Sequence, residues 1–113
     1  MNTTTTTSTT RALTGALTSA ASLLAAAALV EATATAGVLV TVSGTDIDIQ
    51  VPAHTGGQPA RTQVVAAYAR AVSAPVRRRR GGANTWIEAH GTIAGHPVHI
   101  WTVADQVAEQ VVA

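Results

Sequence analysis

The sequence predicts an α+β two-layer sandwich, ordered helix, β-hairpin, helix, β-hairpin, short helix, with an antiparallel sheet carrying its helices on one face. Three observations predict it. Two stretches, GVLVTVSGTDIDIQVP and NTWIEAHGTIAGHPVHIW, alternate apolar and polar side chains with period two about a turn signal. Each is preceded by a segment whose apolar residues recur at helical spacing. Hydrophobic residues make up 47% of the 113, enough for one core, but aromatics are 3% and Phe is absent. That core is therefore built from Val, Ile, Leu and Ala.

Residues 1–10, MNTTTTTSTT, hold no hydrophobic side chain beyond Met1 and read as a disordered tail, with residues 11–113 as one small domain. Between Arg11 and Glu31 no charge intervenes. A membrane span is disfavoured by Thr14, Gly15, Thr18, Ser19 and Ser22. A secretory signal over 11–36 has Arg11, an apolar run and Ala34-Thr35-Ala36 in its favour; the neutral Thr tail and Glu31 stand against it. The preferred reading is a cytoplasmic core helix over about Thr18 to Thr33, with Leu13, Leu17, Leu24 and Ala28 as its stripe and Leu23 and Val30 widening it.

In the first hairpin, a turn at Ser43-Gly44 pairs Val40 with Ile47 and Val38 with Ile49, gathering the β-branched residues on one face. A slip of one residue would destroy that sorting. Pro52 ends the strand. Residues 53–59 are loop by composition. From Ala60 to Ser73, Val64, Val65, Tyr68, Ala71 and Val72 form one helical stripe, with Arg61, Gln63 and Arg70 off it. Pro75 stops the helix, and Arg77-Arg78-Arg79-Arg80-Gly81-Gly82 reads as a flexible basic loop.

The second hairpin turns at Ala94-Gly95. Its pairs run from Ile93 against His96 through His90 against His99 to Glu88 against Trp101. Pro97 falls where its missing N–H costs nothing. Ile87, Ala89, Ile93, Val98 and Ile100 gather on one face; Trp86, Glu88, His90, Thr92, His99 and Trp101 gather on the other. Ala94 is its weak point, since a type I′ turn requires positive φ there. Thr102 and Asp105 resemble a capping box, and Val103, Val107 and Val111 suggest a short C-terminal helix.

With no Cys there are no disulfides, thiolate metal sites or Cys nucleophiles. The net charge of +1 does not mark a nucleic-acid binder. All seven basic residues are Arg, and 24 residues are Ala, the usage of a high-GC bacterium or its phage or mobile element. Ser43 and Ser73 lack a nucleophile setting, Asp46 and Asp48 form a solubilising face, and the Gly pairs lack a phosphate-cradle context, so the expectation is a non-enzyme without cofactor or small-molecule substrate.

The outer face of the second hairpin, Trp86, Glu88, His90, His99 and Trp101, is the candidate surface for a protein partner or self-association. The alternative is that Arg77, Arg78, Arg79 and Arg80 contact nucleic-acid phosphates. A third candidate is a weak metal site on His90 and His99, with Glu88 diagonal to His99 as a further ligand.

Overall fold

The computed structural model describes residues 19–33 and 37–105. Residues 19–33 form helix α1. Strands β1 (Leu39–Ser43) and β2 (Asp46–Gln50) follow, then a 3₁₀ turn at Ala53–Thr55 and helix α2 (Gln58–Ala71). Strands β3 (Arg77–Gly81), β4 (Asn84–Ile93) and β5 (His96–Val103) complete the described chain. The fold is α+β, with both helices packed on one face of a single five-stranded sheet.

The β4–β5 hairpin has the register its alternation dictates, from Ile93↔His96 to Glu88↔Trp101, and continues through Ile87↔Thr102 to Trp86↔Val103. Ala94 does take positive φ, 50°, in the turn with Gly95 at 82°. In the first hairpin the turn lies at Gly44-Thr45 rather than Ser43-Gly44, so Val42 pairs with Ile47 and Val40 with Ile49. This moves the pairing by two residues, which leaves every side chain on its expected face.

Four further features depart from the sequence reading. The sheet is mixed rather than antiparallel: its order is β1-β2-β5-β4-β3, and β2 runs parallel to β5. Each hairpin fixes its own pairing but says nothing about the junction between them. The long connection through α2, β3 and β4 allows the parallel one. It also sets β2 and β5 side by side in the sheet interior, with Ile47, Ile49, Val98 and Ile100 at most 2% exposed.

The Arg77–Arg80 run is not a loop but β3, hairpinned onto β4 and forming the sheet edge. All four Arg are exposed there. Charge is tolerated on an edge strand and discourages edge-to-edge association.

The buried line of α1 is Ser22, Ala26 and Leu29, whereas Leu23 and Leu24 are 56% and 72% exposed. In a helix that is Ala and Leu nearly all round, polar anchoring at Ser22 helps choose the face. The Ser22 hydroxyl donates to the Gly44 carbonyl at 2.7 Å and lies 3.1 Å from His96 Nδ1, tying α1 to the β1–β2 turn. Leu13 and Leu17 lie outside the described residues.

Arg61 is buried rather than off the stripe, and Ala71 is exposed. Arg61 donates through Nε to Thr102 Oγ1, through Nη1 to the Gly56 carbonyl, and through Nη2 to the Val103 carbonyl and to Asp105 Oδ1, at 2.7–3.1 Å. Thr102 in turn donates to the Val51 carbonyl. Thr102 and Asp105 thus serve this buried cation instead of capping a helix, and Val103 belongs to β5. The rest of the expected C-terminal helix lies outside the described residues, as does the Thr tail.

The core joins Ala26 and Leu29 of α1, Val65, Tyr68, Ala69 and Val72 around α2, and the inward side chains of β2, β4 and β5. At Gly91 a Cβ would meet Val72 Cγ2 at 2.6 Å, so glycine there lets the end of α2 lie against β4. Among the described residues no helix is long and apolar enough to cross a membrane.

Candidate functional site: the open sheet face

Strand alternation divides β4 and β5 between the two faces. Ile87, Ala89, Val98 and Ile100 lie under the helices; Trp86, Glu88, His90, His99 and Trp101 point the other way. Pairing extends that open face on both sides. Asp48 of β2 lies beside His99, and Arg77 and Arg79 of β3 lie opposite Glu88 and Trp86. Arg78 and Arg80, opposite Ile87 and Thr85, take the other face, so the basic run is split two and two.

The open face carries a continuous chain of charge-assisted contacts. Trp101 donates its indole N–H to Asp48, at 3.0 Å from Oδ2 and 3.2 Å from Oδ1. Asp48 Oδ1 is 3.1 Å from His99 Nδ1, and His99 Nε2 is 2.9 Å from Glu88 Oε1. Arg79 Nε donates to Glu88 Oε2 at 2.8 Å. Ionised carboxylates only accept, so a proton on either His99 nitrogen is donated to the carboxylate beside it, Asp48 at Nδ1 or Glu88 at Nε2.

Two ring contacts extend the chain. His90 stacks on His99 with centroids 4.3 Å apart and planes 6° from parallel, and the Arg79 guanidinium lies 4.4 Å over Trp86. Gly81 makes room for that second stack, since a Cβ there would lie 2.8 Å from the Trp86 ring.

Glu88 is the pivot. Its side chain is only 7% exposed although it belongs to the open face, because Arg79, His99 and their neighbours enclose it. Burial pushes its carboxyl up, but the hydrogen bonds and charges of Arg79 and His99 outweigh that and hold it below the usual carboxylate range. His90, by contrast, is 66% exposed, with Nε2 3.8 Å from Glu88 Oε1. Beside these groups runs an open groove of about 410 Å³, lined among others by Thr41, Ser43, Asp48, His90, Pro97 and His99.

The structure thus brings all five residues of the expected surface onto one face. It also separates the two Trp residues: Trp101 leans to β2 and Asp48, whereas Trp86 leans to β3 and Arg79. Sequence reasoning missed Asp48 and Arg79 as members of this group. Asp48 was legible only once β2 was known to lie beside β5. Arg79 was legible only once Gly82-Ala83 was seen as a two-residue hairpin turn. His96 is on the helix side, where Nδ1 faces Ser22 and the Thr45 carbonyl, and His54 lies in the 3₁₀ turn. Comparison with protein-family models, curated proteins and solved structures finds no match to the chain.

Proposed function

We propose that this chain is a small non-enzymatic binding protein that docks a protein partner, in the first instance a second copy of itself, on its open sheet face. The observation that carries this reading is the network itself. Trp101, Asp48, His99, Glu88 and Arg79 hold one another in place on a face that neither described helix covers. Side chains fixed before docking lose little entropy on docking, and Trp and Arg are the residue types that most often dominate interface energy.

Sedimentation of the full chain over a range of concentrations tests it. A concentration-dependent mass that persists at raised salt, and that Trp101→Ala lowers while the fold is retained, supports the reading. A mass that stays monomeric at every concentration, or association that Trp101→Ala leaves unchanged, overturns the self-docking form.

One observation favours a second reading. Arg77 and Arg79 share the open face with both Trp residues, while Arg78 and Arg80 flank it from the same exposed edge. Stacking surfaces beside phosphate-binding cations are what single-stranded nucleic acid uses. Binding of a labelled oligonucleotide through all four Arg would fall with salt at a log–log slope of about −3. A slope near zero, or no binding, removes this alternative.

A further inference from the structure

We infer that Glu88, His90 and His99 form a binding site for a borderline divalent cation, Zn²⁺, with its fourth coordination position open to the groove. The site does not depend on what docks on the sheet face.

One ligand atom from each residue falls within 4.8 Å of the others. Two donors on one tetrahedral zinc sit about 3.3 Å apart. Glu88 Oε1 lies 2.9 Å from His99 Nε2 and 3.8 Å from His90 Nε2, on either side of that spacing. Two imidazoles and one carboxylate are a donor set that zinc accepts, whereas Mg²⁺ prefers oxygen alone.

What lifts the cluster above a chance grouping is the layer behind it. Asp48 bonds Nδ1 of His99, leaving Nε2 aimed at Glu88, and Trp101 anchors Asp48 in turn. Carboxylate–histidine pairs of this kind orient metal-binding imidazoles. Arg79 occupies Glu88 Oε2 and so leaves Oε1 turned inward. Zinc would take the place between His99 Nε2 and Glu88 Oε1, where the two atoms approach to 2.9 Å. His90, stacked flat on His99, must pivot to bring its own nitrogen onto the ion; it is the exposed member and has the space to do so.

Isothermal titration of the chelator-treated full chain with ZnCl₂, beside MgCl₂, tests the site. The expected result is saturation at one zinc per chain, no comparable magnesium binding, and a melting temperature that rises with zinc. His90→Ala and Glu88→Gln should each weaken zinc binding at least tenfold, Asp48→Asn by about 10–100-fold as loss of an orienting partner does, and His54→Ala not at all. Co²⁺ in place of zinc should show the visible absorption bands of tetrahedral coordination, lost in His90→Ala. Because His90 is exposed, its variant keeps the fold and the test stays decisive. Absence of saturable zinc binding, equal affinity in His90→Ala, or loss of binding in His54→Ala overturns the proposal.

Discussion

The two faces of the β4–β5 hairpin share one register and one pair of strands, yet they are held by different physics. On the helix side, Ile87, Ala89, Val98 and Ile100 are closed off by α1 and α2 and make no polar contacts through their side chains; what they contribute is area removed from water. On the open side, His99 bridges Glu88 and Asp48, and Trp101 donates to Asp48, so these side chains are held by hydrogen bonds to carboxylates. The first face is non-directional and tolerates any shape that fills it. The second specifies atoms and distances, and such an arrangement is the better platform for recognition. One alternating pattern therefore encodes a structural face and a candidate functional face together.

Five measurements sharpen or break that contrast, each a urea melt of a single variant. Ile100→Ala deletes fully buried methyl groups and is expected to cost about 2–4 kcal/mol; a neutral result would mean the helix side is not the core. Arg61→Met keeps volume but leaves the Thr102, Val103 and Gly56 oxygens without their donor, for an expected loss of about 2–3 kcal/mol.

Glu88→Gln removes the charge at the pivot of the open face. Measured in chelator near neutral pH, it is expected to cost about 1–2 kcal/mol. Its pH dependence has a definite sign. A carboxyl held lower in the folded chain than its ordinary 4.5 stabilises the fold above that value and loses its contribution as pH falls through the lowered one. The wild type and Glu88→Gln should therefore converge only below about pH 4.5; convergence at neutral pH would show that the network adds nothing to stability.

Tyr68→Phe goes the other way. The Tyr68 hydroxyl is buried with no hydrogen-bond partner among the described residues, so its removal should gain up to about 1 kcal/mol. A loss would reveal a partner for that oxygen. His90→Ala is expected to stay within about 0.5 kcal/mol, as exposed positions do, because its ring lies over His99 without being buried by it.

Much of this architecture is legible in the sequence, and the parts that are not share a cause. The β4–β5 register follows from local alternation and one turn, and both faces of the site can be assigned from it. The β1–β2 faces are equally clear, although the turn lies one residue later, because a two-residue shift is invisible to a pattern of period two. Whatever depends on distant pairing is lost. Asp48 joins the site through the β2–β5 junction, and Arg61 is buried because Thr102 and Val103 of β5 come to meet it. Ser22 outranks Leu24 because the Gly44 carbonyl waits at its position. Four consecutive arginines hid β3, since their charge suggests a solvated loop, whereas an edge strand leaves the same side chains in water.

The parallel junction between β2 and β5 has a kinetic consequence. Residues 47–50 meet residues 98–101 only after some fifty intervening residues have been placed. Strands β3, β4 and β5 are joined by two tight hairpins, so their pairing is near in sequence and cheap in loop entropy. The N-terminal hairpin can make its own turn early, yet it finds its neighbour only when β5 exists. Folding should therefore proceed from the C-terminal half, with β1, β2 and α1 docking late. On a ribosome, the first half to emerge is the half that must wait. Asp48, the one open-face residue that β2 lends to the network, reaches His99 at that last step, so the recognition surface is complete only when the whole sheet is.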